Sequence, residues 1–154
     1  MFDFVDNIVF LFQSSIVIFY SFVFILSLLV GSFLNVVIYR LPKIMHNQWH
    51  AECREFLADE ITSTTQTEIP HLTLSSPNST CPHCGHHIRF YENIPLISWI
   101  FLRGKCSQCK EKISARYPLV ELATALLSVV VAQQFGVSMQ TLWLVLLTWG
   151  LVAL

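Results

Sequence analysis

The sequence predicts a mainly α-helical, polytopic membrane protein that carries a small polar module of zinc-knuckle, or zinc-ribbon-like, type. Three observations predict it. Only 12% of the 154 residues are charged and 54% are hydrophobic, about half the charge of an ordinary soluble domain at roughly 25%. The charges are also segregated. All nine Lys and Arg fall between Arg40 and Arg116, while 7–39 and 122–154 hold no charge at all. Each uncharged run exceeds the ~20 apolar residues with which a helix crosses a bilayer. Finally, four of the five cysteines form two C-x2-C pairs inside the polar stretch. This composition excludes a disordered chain, a single water-soluble domain and a disulfide-stapled secreted domain.

Asp3 and Asp6 stand where a signal peptide would carry basic residues, and the apolar run after them has no small-residue cleavage site. Residues 1–15 therefore read as an outer N-terminus and helix start. Residues 16–39 form a first membrane helix, because lipid offers no partners to an open strand. Arg40, Pro42 and Lys43 are expected to close it. Acids precede this helix and cations follow it, so the positive-inside rule places the N-terminus outside and 40–116 in the cytoplasm. Within 40–80, MHNQWHAECREFLADE reads as a separate juxtamembrane helix and the Ser/Thr/Pro-rich remainder as a variable loop. Asn78-Ser79-Thr80 matches a glycosylation acceptor, but a cytoplasmic loop does not meet the transferase. Residues 81–116 make the zinc-knuckle module. Pro118 suits the first turn of a second membrane helix over 117–135. After an outer turn at Gly136 and Ser138, residues 139–154 start a third membrane helix, inside which the chain is expected to stop.

Cys81 and Cys84, with Cys106 and Cys109, form C-x2-C…C-x2-C. Two thiolates two residues apart wrap one side of a tetrahedral ion, and a second knuckle completes the shell. Each knuckle repeats C-x-x-C-x-x-x-I, ending at Ile88 and Ile113, which suggests two apolar residues packed beneath the metal. Four cysteines close the coordination sphere, so the expected zinc is structural rather than catalytic. A redox pair would need a thioredoxin-like strand–helix unit, and the pattern offers none. Nucleic acid is not an expected partner. The cations of the loop are interspersed with Glu52, Glu55, Asp59, Glu60, Glu68, Glu92 and Glu111, which leaves no basic stripe.

Further polar residues each admit two readings. Gly31, Ser32 and Asn35, close to Arg40, form a small and polar patch on a Phe- and Leu-rich helix. It is either a helix-packing face or the lining of a working cavity. Glu121 is ionisable within the second membrane helix, where such groups face a bundle interior. Arg40 or Arg116 would be its partner in a structural ion pair, and catalysis is the other reading. His46, His50 and Cys53 lie at i, i+4 and i+7, either as a second metal site or as the polar side of a surface helix. His83, His86 and His87 crowd the first knuckle as exposed residues, with His86 or His87 as an alternative ligand. Cys53 reads as a free thiol.

Four stretches together, GSFLNVVIYRLP (31–42), CPHCGHHIRFYENIPLISW (81–99), RGKCSQCKEKISARYPLVELATALL (103–127) and LLTWGL (146–151), resemble the N-terminal half of the bacterial prepilin peptidases. The resemblance implies a bifunctional inner-membrane enzyme of type IV pilus and type II secretion systems. Such an enzyme cleaves the leaders of prepilins and pseudopilins on the cytoplasmic side. It then methylates the new N-terminus with S-adenosylmethionine. The resemblance also ties Gly104 and Lys105, beside Cys106, to methylation and substrate handling, although both residues are equally suited to shaping the turn into the second knuckle. Cleavage in the family uses two aspartates on later membrane helices. The aspartates here are Asp3, Asp6 and Asp59, and none matches those motifs. The chain is accordingly expected to be a fragment lacking the C-terminal membrane half, and inactive as a peptidase alone. The alternative is a non-enzymatic zinc module in the membrane that docks a pilus or secretion-system partner.

Overall fold

The computed structural model describes residues 2–57, 73–76 and 78–154. Its helices are α1 (Phe2–Ser14), α2 (Ile16–Leu57), α3 (Ile97–Phe101), α4 (Arg116–Phe135) and α5 (Met139–Ala153), with a 3-10 turn at Phe90–Asn93. Among the described residues there is no strand beyond two isolated bridges, Thr80 with His87 and Lys105 with Lys112.

Ser15 interrupts the first helical stretch without ending it. Its N–H donates to the Leu11 carbonyl and its carbonyl accepts from Phe19 N, both at 3.2 Å. The Phe12 ring packs across the break, with centroids 5.6 Å from Phe19 and 5.1 Å from Phe22.

The expected stop at Arg40–Lys43 does not occur. α2 runs through Pro42 for 42 residues, a rod of about 63 Å, so the juxtamembrane segment continues the membrane helix. Proline removes one helical N–H, yet neighbouring side chains brace the polar end. Lys43 Nζ donates to the Tyr39 hydroxyl at 2.6 Å and lies 3.9 Å from the centre of that ring. The buried Arg40 guanidinium donates to the carbonyls of Thr73 and Leu74 at 2.9 and 3.2 Å. Asp59, Glu60 and most of the variable loop lie outside the described residues.

α2 and α4 are long and apolar enough to cross a membrane, and α5 is apolar but shorter. Gly136, at φ +60°, ends α4, and Ser138 caps α5 by accepting from Thr141 N. The three helices pack in an arrangement inverted relative to a soluble protein. Ser27, Thr124, Ala125, Ser128 and Ala132 are fully buried, whereas Phe22, Ile25, Leu29, Phe33, Leu126 and Leu147 face outward. In lipid there is no hydrophobic gain from burying leucine, so small and hydroxyl-bearing residues take the interfaces where backbones approach. The fold is that of an α-helical membrane protein.

Candidate metal centre

The two knuckles are the same backbone structure built twice. In the first, Gly85 N donates to Cys81 O, Cys81 N to His86 O and Ile88 N to Ser79 O, all at 2.9 Å. In the second, Lys110 N donates to Cys106 O at 3.1 Å, Cys106 N to Glu111 O at 2.8 Å and Ile113 N to Gly104 O at 2.7 Å. The recurring isoleucines thus close the hairpins through their N–H groups. Ile88 is exposed and Ile113 half-buried, so they do not form the apolar floor that the repeat suggested.

Each knuckle needs a left-handed residue after its second cysteine: Gly85 at φ +70° and Lys110 at φ +61°. That conformation costs a side-chain-bearing residue about 1 kcal/mol or more. Lys110→Gly is therefore expected to raise the stability of the module by up to about 1 kcal/mol, while Gly85→Ala lowers it by a similar amount. Competition of each variant with a chromophoric zinc chelator measures both signs.

The four sulfurs converge. Cys81 Sγ lies 3.8 Å from Cys109 Sγ and Cys84 Sγ 4.0 Å from Cys106 Sγ, and all four fall within 4.8 Å of one another. A tetrahedral ion with sulfur bonds of about 2.3 Å has sulfur–sulfur edges near ~3.8 Å, whereas a disulfide draws its sulfurs to ~2.05 Å. The donor set and spacing fit a tetrahedral metal. Both short edges join one knuckle to the other, so an ion held here would staple the two together. The backbone N–H groups of Cys109 and Gln108 pull the buried Cys106 thiol down to about 6. At Cys109 the N–H of Glu111 pulls in the same direction, but burial and three neighbouring sulfurs push the thiol up to about 12. Several thiolates cannot share this space without a cation, and a dication removes the conflict.

Glu92 locks the knuckles from the side. It accepts from the Ser107 hydroxyl of the second knuckle and from Arg89 N at 2.9 Å, and it lies 3.2 Å from His86 Nε2 of the first. Those donors, Ser107 foremost, hold its carboxyl below the usual range. His86 is thereby committed to Glu92, and the thiol cluster forms without a histidine. A depressed folded-state pKa contributes stability above the unfolded value near ~4.3 and loses it as pH falls through the lower folded value. Glu92→Gln is therefore expected to weaken metal retention at neutral pH, a difference that shrinks as pH falls below about 4. Chelator competition across that range checks it.

Gly104, at φ +65°, sits under the Trp99 indole, where an added Cβ would come within 2.9 Å of the ring. Its N–H donates to Trp99 O at 2.8 Å and its carbonyl accepts from Ile113 N. Only glycine fits that turn. The side chain of Lys105 is exposed beside it. His46 and His50 bring their Nε2 atoms to 3.2 Å, but Cys53 joins no metal-competent cluster with them.

The polar patch of α2 lies against α4. A Cβ on Gly31 would stand 2.8 Å from Glu121 Cα, and Asn35 Nδ2 donates to Tyr117 O at 3.0 Å. Ser32 hydrogen-bonds the Glu121 side chain, and Glu121 Oε2 also accepts from Leu96 N at 2.9 Å. The ion pair expected between Glu121 and Arg40 or Arg116 is not formed. Arg40 lies eight positions beyond Ser32 on α2, roughly 12 Å toward the polar side, and a backbone N–H and a hydroxyl satisfy the carboxylate instead. Sequence reasoning missed Ser27, Thr124, Ser128 and Trp149, whose Nε1 donates to Ser128 Oγ at 3.0 Å. The signal was present: Ser27, Gly31 and Asn35 recur every four residues and so do Thr124, Ser128 and Ala132.

These features define an α-helical membrane protein with a four-cysteine module that could hold a metal ion, tied to a polar helix seam. Residues 25–135 match the family described as Bacterial Peptidase A24 N-terminal domain, and the chain belongs to that family. It is 58% identical over 130 residues to a prepilin leader peptidase/N-methyltransferase of Stutzerimonas stutzeri, covering 84% of this chain and 44% of that protein. The like-named protein of Pseudomonas aeruginosa is 57% identical over 130 residues, covering 84% and 43%. That of Aeromonas hydrophila is 51% identical over 137 residues, covering 89% and 46%. The chain thus spans less than half the length of these relatives. No solved structure matches it.

Proposed function

We propose that this chain serves as the zinc-bearing N-terminal unit of an inner-membrane prepilin leader peptidase/N-methyltransferase acting on type IV prepilins and pseudopilins. The family match over 25–135, which includes both knuckles and the α2–α4 seam, carries the reading. In it the N-terminus is periplasmic and 40–116 cytoplasmic, with every Lys and Arg of the chain on the cytoplasmic side. Cys81, Cys84, Cys106 and Cys109 hold a structural zinc, which supplies folding energy to a module too small and polar to build a core. S-adenosylmethionine is the methyl donor. Gly104, Lys105 and Glu121 belong to the methylation and substrate-handling region, and α3 links them: Leu96 binds Glu121 while Trp99 covers Gly104. The carboxylates that cut the leader are not among Asp3, Asp6 and Asp59, so the chain alone leaves a prepilin intact.

The test grafts this chain onto the C-terminal membrane half of the Pseudomonas aeruginosa relative, in a strain lacking its own prepilin peptidase. The graft is expected to remove a prepilin leader and methylate the new N-terminus, read by mass spectrometry, while the chain by itself does neither. A folded graft inert toward every prepilin would favour a docking module without enzymatic function. A reporter fused at Ser75 is expected to behave as cytoplasmic, and periplasmic activity there would overturn the topology.

A further inference from the structure

We propose that α3 is a membrane-surface anchor, whose Ile97, Ile100 and Phe101 lie in the headgroup–acyl boundary of the bilayer. The inference rests on the reading of α2 and α4 as membrane-spanning. α3 turns Trp99 inward, its Nε1 directed to Ile113 O and its ring over Gly104. The other large apolar residues of the helix point out, with Ile97 52%, Ile100 64% and Phe101 83% exposed. A polar module of this size has no internal reason to display them.

Their height relative to the membrane helices is fixed by one bond. Leu96, immediately before α3, donates its N–H to Glu121 at 2.9 Å. Glu121 lies five positions into α4 from Arg116, the last charge before it, roughly 7 Å along the helix axis. Across the seam its neighbours are Gly31 and Ser32, again on the apolar side of the first α2 cation, Arg40. The start of α3 is therefore drawn below the first cations of both spanning helices, Arg40 and Arg116, to the level of the Glu121 carboxylate, in a headgroup layer some ~5–7 Å thick. Leu96 adopts φ +56° there, a conformation disfavoured for leucine.

The backbone of α3 suits that layer, since helical hydrogen bonds satisfy several of its polar groups internally. Ser98 N donates to Ile94 O, Ile100 N to Leu96 O and Leu102 N to Ser98 O at 2.9–3.2 Å, and Ser98 Oγ bonds Ile94 O. Arg89, Arg103 and Lys105 flank the segment and are exposed, as expected of cations that meet lipid phosphates beside an interfacial helix. The occupant of this face is the lipid leaflet, continuous with the lipid around α4.

The experiment places p-benzoylphenylalanine singly at Phe101, Leu126 or Phe56 of the full, zinc-loaded chain. Each variant is irradiated in nanodiscs of phosphatidylethanolamine and phosphatidylglycerol, and lipid adducts are counted by mass spectrometry. All three positions are exposed, and zinc content reports that each variant is folded. Leu126 faces the lipid reading of α4, while Phe56 lies on the polar extension of α2, roughly 24 Å beyond Arg40. Adducts at 101 are expected to match those at 126 and to exceed those at 56 at least about tenfold. Adducts at 126 with 101 no higher than 56 would overturn the anchor and leave the spanning helices intact. Low adducts at 126 as well would remove the spanning reading and the anchor with it. Cross-linking of 101 to a co-reconstituted prepilin in place of lipid would also overturn the anchor and make this face a protein-docking surface.

Discussion

On the proposed zinc reading, replacing Cys106 with serine is expected to abolish zinc binding and to open the polar module, with bound metal falling at least about tenfold. Cys106 is the most buried of the four thiols at 6% exposure, and the backbone N–H groups of Cys109 and Gln108 favour its thiolate. A serine hydroxyl at the same place stays protonated and brings no charge to the ion. The loss is larger than that of one ligand, because each close sulfur pair joins different knuckles. Without the ion, the described side-chain tie between knuckles is the Glu92 bridge. Structural zinc supplies some ~10–16 kcal/mol in small modules, far beyond what one carboxylate bridge contributes. Limited proteolysis is therefore expected to cut within 81–115 while helical circular dichroism is retained, since α2, α4 and α5 pack without the knuckles. Cys53→Ser is the control: exposed on α2, it should leave zinc content unchanged. Equal metal in Cys106→Ser and Cys53→Ser would refute the site.

The four-cysteine cluster and the two long helices were legible because their signals are one-dimensional. A C-x2-C pair and a charge-free run state their chemistry without reference to anything distant in the chain. The continuity of α2 through Pro42 was not legible in that way. Proline and two cations are ordinary stop signals, and what braces the helix there comes partly from residues 73–74, thirty positions away. The partner of Glu121 was missed for a related reason. A buried carboxylate invites a search for a cation, whereas its donors here are the Leu96 N–H and the Ser32 hydroxyl, and a backbone donor leaves no trace in sequence. The reading of Gly31, Ser32 and Asn35 stood between packing face and cavity lining. The geometry brings all three onto α4.

A branched side chain at Gly31 is accordingly expected to split the helix pair. Glycine to alanine in a helix interior ordinarily gains up to about 1 kcal/mol from backbone entropy. At Gly31 the new Cβ would meet Glu121 Cα at 2.8 Å and Thr124 Cβ at 3.2 Å. The nearer atom belongs to backbone and cannot rotate aside, so α2 and α4 must part. Gly31→Val is expected to destabilise by at least ~1–3 kcal/mol, the usual cost of overpacking, and Gly31→Ala by less but with the same sign. Thermal unfolding of the zinc-loaded chain in mild detergent measures both. Gly150→Ala supplies the contrast, because nothing lies within 4 Å of a Cβ added there, and it should be neutral or slightly stabilising. Were Gly31 only a flexible spacer, both alanine variants would gain stability alike. The damage should also travel. Parting the helices lengthens the Asn35–Tyr117 bond and draws Ser32 from Glu121, which loosens the carboxylate that holds Leu96. The module would keep its zinc in Gly31→Val and lose its seat on α4, an outcome opposite to that of Cys106→Ser, so that the two variants separate the metal's contribution from that of the helix seam.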